Sequence, residues 1–129
     1  MALFDTDVLI DHLRGNEGAG KVLLRFRDEK NCCSVITSGE ILFGMRIEEQ
    51  EHTLALLDSL EELAADSEIV RLAHDIKIRA KGYRLQLYDC IIAATALKFA
   101  QVLVTRNAKH YPDKRLNLYV PGYPPLDKE

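Results

Sequence analysis

The chain has 129 residues, 47% of them hydrophobic and 29% charged, with only 4 prolines and 7 glycines. That balance suits a single compact domain over residues 1–129 and excludes a disordered, fibrous or two-domain protein. A formal net charge of −3 gives no global sign of nucleic-acid binding. No apolar run approaches the ~20 residues needed to span a bilayer, and the N-terminus shows no basic region followed by an apolar stretch, so no membrane role and a cytoplasmic location are expected. Cys32, Cys33 and Cys90 form no C-x-x-C pair, which points to core residues rather than a disulfide framework or a thiolate metal site.

In chain order, Leu3-Phe4 reads as a short buried strand that runs into a helix through Asp5-Thr6-Asp7, with Gly15 ending that helix at Arg14. A helix is expected over about 17–30, then a buried strand over Cys32-Cys33-Ser34-Val35-Ile36. Thr37-Ser38-Gly39-Glu40 has capping-box spacing, which would start the next helix there and put Glu40 in its first turn. Leu54, Leu57, Leu60 and Leu63 recur at helical spacing, with a possible strand near 63–65. A helix is expected over 68–81, closing at Gly82, and a nearly all-apolar one over 90–97 with Asp89 as its cap. Val102-Leu103-Val104 and the alternating run from Leu116 to Val120 supply the last strands. Short apolar strands alternating with helices predict an α/β fold, a three-layer α/β/α domain with a mostly parallel sheet.

In open parallel sheets, functional residues gather beyond the carboxyl ends of the strands. Asp5, Glu40, Asp89 and Asn107 all fall at such junctions. Clustered carboxylates stay ionised near neutral pH when a cation sits among them, and hard oxygen donors select Mg²⁺ or Mn²⁺. Singly, each residue also has a plain structural role: Asp7 and Asp89 as N-caps, Glu40 in a capping box, Asn107 as a turn cap.

Four segments carry a resemblance: Phe4-Asp5-Thr6-Asp7-Val8-Leu9-Ile10-Asp11, Ser38-Gly39-Glu40-Ile41-Leu42-Phe43-Gly44, Tyr88-Asp89-Cys90-Ile91-Ile92-Ala93-Ala94-Thr95-Ala96 and Leu103-Val104-Thr105-Arg106-Asn107. In this order they resemble the motifs of PIN-domain ribonucleases, the VapC-type toxins of toxin–antitoxin systems. The resemblance implies a Rossmann-like sheet, Mg²⁺- or Mn²⁺-dependent endoribonuclease activity with 5′-phosphate products, a homodimer and a cognate VapB-type antitoxin. It implies Asp5, Glu40 and Asp89 as metal-ligating catalytic acids, with Asn107 beside them and Thr6 at a substrate-binding position. Asp7 departs from the small polar residue common there, and no acid stands in or just after the Thr105-Arg106-Asn107 step, Asp113 being the nearest, so the fourth ligand lies among Asn107, Asp7 and Asp113. The antitoxin groove is expected along the helices around 41–47 and 54–63, for which core packing is the alternative.

Charge is unevenly distributed. From Glu48 to Glu68 there are eight acidic residues and no Lys or Arg, whereas Arg71, Lys77, Arg79, Lys81 and Arg84 follow against the single Asp75. That basic segment reads either as a solvated helix face or as a surface for a phosphate backbone. Arg84 and Arg106 are the leading candidates for substrate contact, ahead of Arg14 and Lys109, while His110 reads first as a surface residue with no role and otherwise as a phosphate contact or an acid. Two other functions fit parts of the pattern: a phosphohydrolase of the haloacid-dehalogenase type, from Asp5-Thr6-Asp7, and a PIN-like module that binds RNA or protein without cleaving. A receiver domain fits less well, because the middle strand does not end in a phosphorylatable Asp.

Overall fold

The computed structural model describes residues 1–99 and 101–126. Its strands are β1 (Ala2–Phe4), β2 (Asn31–Ser34), β3 (Glu61–Leu63), β4 (Val102–Val104) and β5 (Asn117–Tyr119). They pair in parallel throughout, in the order β3-β2-β1-β4-β5. The helices are α1 (Thr6–Leu13), α2 (Glu17–Arg25), α3 (Val35–Gly44), α4 (Gln50–Asp58), α5 (Ser67–Arg79) and α6 (Leu87–Lys98). The chain moves outward from β1 through β2 to β3, then returns to the other side of β1 for β4 and β5. The order therefore reverses between β1 and β4, and a crevice opens at their carboxyl ends.

Side-chain alternation along the strands builds a core on each face of the sheet. Leu3, Cys32, Leu63 and Leu103 pack against α5 and α6 on one face. Ala2, Phe4, Cys33 and Val104 pack on the other against α1, α2 and Ile41 of α3. Helix α6 is buried continuously from Cys90 to Ala96, as its nearly unbroken apolar sequence requires. The expected three-layer α/β/α arrangement and the buried, free cysteines are present.

Several boundaries differ from those read in the sequence, each for a local reason. Ser34, not Thr37, starts α3: its hydroxyl accepts the Ile36 N–H at 3.1 Å. Strand β2 therefore ends two residues early, Glu40 lies in the second turn of α3, and the capping box does not form. Helix α6 begins at Leu87, so Asp89 sits inside its first turn and caps nothing. Helix α2 stops at Arg25, and hydrogen-bonded turns carry the chain through Phe26 back to the sheet. Of the regularly spaced leucines, Leu60 and Leu63 lie beyond α4, and β3 occupies 61–63 because it pairs with β2 from Cys32 to Ser34.

Phe26 stands edge-on to both Phe4 and Tyr119, with centroids 6.0 and 5.3 Å away, and fills the space between α2 and the sheet. Phe26→Ala should lower unfolding free energy by about 3–5 kcal/mol in urea denaturation, since the cavity forfeits both aromatic contacts. Val70→Ala, at a position 45% exposed, should change it by no more than about 0.5 kcal/mol.

Candidate active site

The crevice between β1 and β4 is where the acids meet. Asp5 directly follows β1 and is only 5% exposed. Its Oδ1 accepts the Thr6 N–H at 2.7 Å, which starts α1, and its Oδ2 accepts the hydroxyls of Thr105 at 2.7 Å and Tyr111 at 3.0 Å. Thr105 follows β4, and Tyr111 follows the short 3-10 turn Ala108–His110, so one carboxylate joins three segments. Glu40 enters from α3, where its Oε1 accepts the Thr6 hydroxyl at 2.7 Å, with Thr37 Oγ1 3.0 Å from that same hydroxyl. Asp89 enters from the first turn of α6, its Oδ2 3.5 Å from His110 Nδ1. Because Asp89 is not spent on capping, its carboxylate is free to face the crevice.

The charges are held at an energetic disadvantage. Burial raises the pKa of Asp5 above the ordinary carboxylate value, against the pull of its three hydrogen bonds. Asp89 is also raised, first by burial and then by the charges of Asp5 and Glu40, with His110 opposing. Asp7 is pushed up to about 7 by burial, with Asp5 and Asp11 adding to the shift and the N–H groups of Arg106 and Val8 opposing it. The Tyr111 phenol is raised by burial and by Asp5 and Asp89, which keeps it a hydrogen-bond donor.

Behind this trio lies a second layer that the sequence reading missed. Asp7 Oδ2 accepts the Arg106 N–H at 3.0 Å and the Asn107 amide at 2.9 Å. Arg106 Nη1 donates to Asp11 Oδ2 at 2.9 Å, and its guanidinium lies 4.6 Å from the centre of the Tyr123 ring. Tyr123 donates its hydroxyl to the same Asp11 oxygen at 2.7 Å, and Asn16 Nδ2 holds Pro124 O at 3.1 Å. Gly18 leaves room for this tail: a Cβ there would stand 2.2 Å from Tyr123 Cβ. No local sequence pattern announces such pairs, because they join residues about 95–112 positions apart.

Of the residues singled out from sequence, Asp5, Thr6, Glu40 and Asp89 come together. Asn107 stands beside them, its amide nitrogen spent on Asp7. Asp113 does not join them: its carboxylate is held by Arg115 at 2.7 Å. Arg106 is bound to Asp11 and Tyr123, while Arg84 and Lys109 are exposed. Arg14 lines a groove shared with Glu40. Among the described residues, no three His, Cys, Asp or Glu side chains stand, as placed, in a group that could hold a metal ion. The donor chemistry nevertheless fits a hard divalent cation: the three carboxylates offer only oxygen, and the charges of Asp5 and Glu40 add to burial in raising Asp89.

A raised carboxyl pKa means that the folded state binds protons the unfolded chain has released. Stability should therefore fall as pH rises from about 5 to about 7 in EDTA, and level off beyond the folded value of Asp7. Asp7→Asn should flatten that slope in denaturation curves measured at intervals from pH 5 to 8. It should also lower stability throughout, since an amide cannot accept all the N–H bonds Asp7 receives.

Residues 2–112 match the PIN domain family. Ribonuclease VapC10 of Mycobacterium tuberculosis is 37% identical to this chain, over 97% of it and 98% of the relative. Ribonuclease VapC19 of the same organism is 28% identical over 87% of this chain and 93% of the relative. A chain of a toxin-antitoxin complex from Klebsiella pneumoniae superposes with a TM-score of 0.83 at 28% identity, covering 95% of this chain and 99% of that one. A match across both the acidic crevice and the sheet that frames it sets aside the phosphohydrolase and receiver readings: the chain belongs to the PIN-domain family, among its VapC ribonucleases.

Proposed function

We propose that the chain is the endoribonuclease toxin of a toxin–antitoxin pair, that it hydrolyses RNA phosphodiester bonds with Mg²⁺ or Mn²⁺, and that it acts as a homodimer. The convergence of Asp5, Glu40 and Asp89 at the β1/β4 crevice carries this reading. Asp5, Glu40 and Asp89 would hold the cation. When bound, it supplies neutralisation of the acids, a lowered pKa for a water and polarisation of the phosphodiester.

The chain's own groups do the positioning. Thr105 and Tyr111 fix the orientation of Asp5, and Thr6 fixes Glu40. Asp89 lies in the first turn of α6, where the helix dipole favours negative charge. His110, beside Asp89, can hold the proton that the departing 3′-oxygen needs. Asn107 keeps its side-chain oxygen as an acceptor for a water. That makes it the best of the candidates for the fourth position, since Asp7 and Asp113 are engaged elsewhere.

The toxin–antitoxin complex among the similar structures supports an antitoxin partner. A groove of about 590 Å³ runs between α1, the end of α3 and the start of α4, with Ile10, Leu13, Ile41 and Met45 in its lining. Next in sequence to the lining residues Gly44, Arg46 and Glu48, Phe43 is 96% exposed and Ile47 77% exposed, far more than core packing would leave. This groove is the proposed antitoxin seat.

Purified, antitoxin-free protein should cut total RNA into fragments bearing 5′-phosphates with Mg²⁺ or Mn²⁺ and not with EDTA. Asp5→Asn and Asp89→Asn should yield no such fragments, and Thr6→Val, which frees Glu40 to rotate, should slow cleavage by about 10- to 100-fold. Cleavage that survives in the acid variants would sink the assignment, and folded protein that binds neither metal nor RNA would favour the non-cleaving module. Phe43→Lys should leave cleavage intact while weakening antitoxin neutralisation at least about tenfold, a loss of roughly 1.4 kcal/mol. Light scattering of the purified toxin tests the dimer.

A further inference from the structure

A second pocket, of about 340 Å³, lies between the end of α5 and the loop 112–115, lined by Arg79, Lys81, Tyr83, Asp113, Lys114 and Arg115. Its position relative to the acids follows from the packing. Lys98 at the end of α6 bridges to Asp66 and Glu68 at the start of α5, so the two helices run antiparallel and the end of α5 lies beside the start of α6, where Asp89 sits. From the other direction, Pro112 directly follows Tyr111, whose hydroxyl is on Asp5. The pocket is thus a neighbour of the catalytic crevice.

Its walls are built and its cations are divided into two kinds. Arg115 holds Asp113 through Nε and Nη2 and reaches Asp75 at 3.2 Å, while Arg79 binds Asp75 at 3.0 Å. Those two arginines are committed to anchoring the loop on α5. Lys81 and Lys114 make no ion pair among the described residues. Tyr83 is 57% exposed on a turn closed by its N–H to Ala80 O, with Gly82 at φ +87. An exposed aromatic ring that shares a pocket with two ammonium groups free of ion pairs among the described residues suits a base that has left its stack, with its phosphates alongside.

We propose that this pocket is a subsite for an unpaired RNA nucleotide flanking the cleaved bond, with Tyr83 stacking the base and Lys81 and Lys114 contacting phosphates. The inference rests on the ribonuclease reading above. It also gives the basic segment of α5 and the following loop a role that its charge alone leaves open.

The test uses a fluorescein-labelled single-stranded 12-nucleotide RNA of mixed sequence and its blunt duplex, bound to the full chain carrying Asp5→Asn so that nothing is cut. Binding is read by anisotropy from 50 to 300 mM salt. The single strand should bind more tightly than the duplex, Tyr83→Ala should weaken it about 5- to 150-fold, and Tyr83→Phe should restore most of the loss. Lys81→Ala/Lys114→Ala should make the slope of log K against log salt shallower by about 1.4. With Asp5 restored, that double variant should raise KM more than it lowers kcat in RNA cleavage. Unchanged affinity and slope in the variants overturn the subsite while wild-type cleavage leaves the nuclease standing, and no RNA cleavage or binding by any form overturns both. A changed oligomeric state in sizing chromatography with unchanged RNA affinity also overturns it, and assigns the patch to a contact between copies.

Discussion

Everything at the carboxyl edge of the sheet depends on how one buried carboxylate is kept tolerable. Asp5 follows the central strand, almost without solvent, and receives hydrogen bonds from the start of α1, from the segment after β4 and from Tyr111. A buried charge with such partners is expensive to disturb, because losing any one donor leaves the charge undercompensated. The position of α1, the path of the Thr105–Asn107 segment and the return of the chain through Tyr111 are therefore not independent. They are different ends of one electrostatic solution.

That solution is incomplete by itself. Burial raises Asp5, Asp7 and Asp89, and the charge of Asp5 adds to the shift of the other two, so hydroxyls and N–H groups alone do not balance the charge gathered there. Sites that store this kind of repulsion have a use for positive charge, supplied by a cation, by a substrate's bound ions or by a proton. The second layer shows the opposite regime. Arg106 meets Asp11, stacks on Tyr123 and gives its backbone N–H to Asp7, so charge and aromatic face are both used up in holding the loop and the tail. A cation so engaged is part of the frame. The cations left for a ligand are found elsewhere on the surface.

The sequence made the fold and the three acids legible because both are written locally. Alternating strands and helices specify a parallel sheet, and Asp5 sits where β1 gives way to α1; Glu40 lies a turn inside the helix that follows β2, and Asp89 in the first turn of α6, which follows α5 rather than a strand. What could not be read was competition for the same backbone groups. Thr37 and Glu40 have the spacing of a capping box, yet Ser34 captures the helix start first, and Glu40 turns instead to a hydroxyl from α1. Asp89 looked like a cap, but the helix begins two residues before it. Tyr111, Asp11 and Tyr123 gave no signal at all, since their partners are about a hundred residues away and come near only when the sheet closes.

Helix α3 links the two surfaces that matter for activity. Thr37 and Glu40 meet Thr6 at the crevice, while Ile41 and Met45 line the groove and Phe43, between them in sequence, is exposed. Glu40 itself belongs to both, and Arg14 from the end of α1 reaches the same groove. An occupant seated there needs no long-range conformational change to affect the acids, because its boundary is already one of them. A basic side chain placed against Glu40 would pull that carboxylate away from Thr6 and supply positive charge to a trio that lacks it, competing directly with the cation the acids would otherwise hold. On the proposed reading, inhibition and catalysis use the same unmet charge, and a single helix presents it to both.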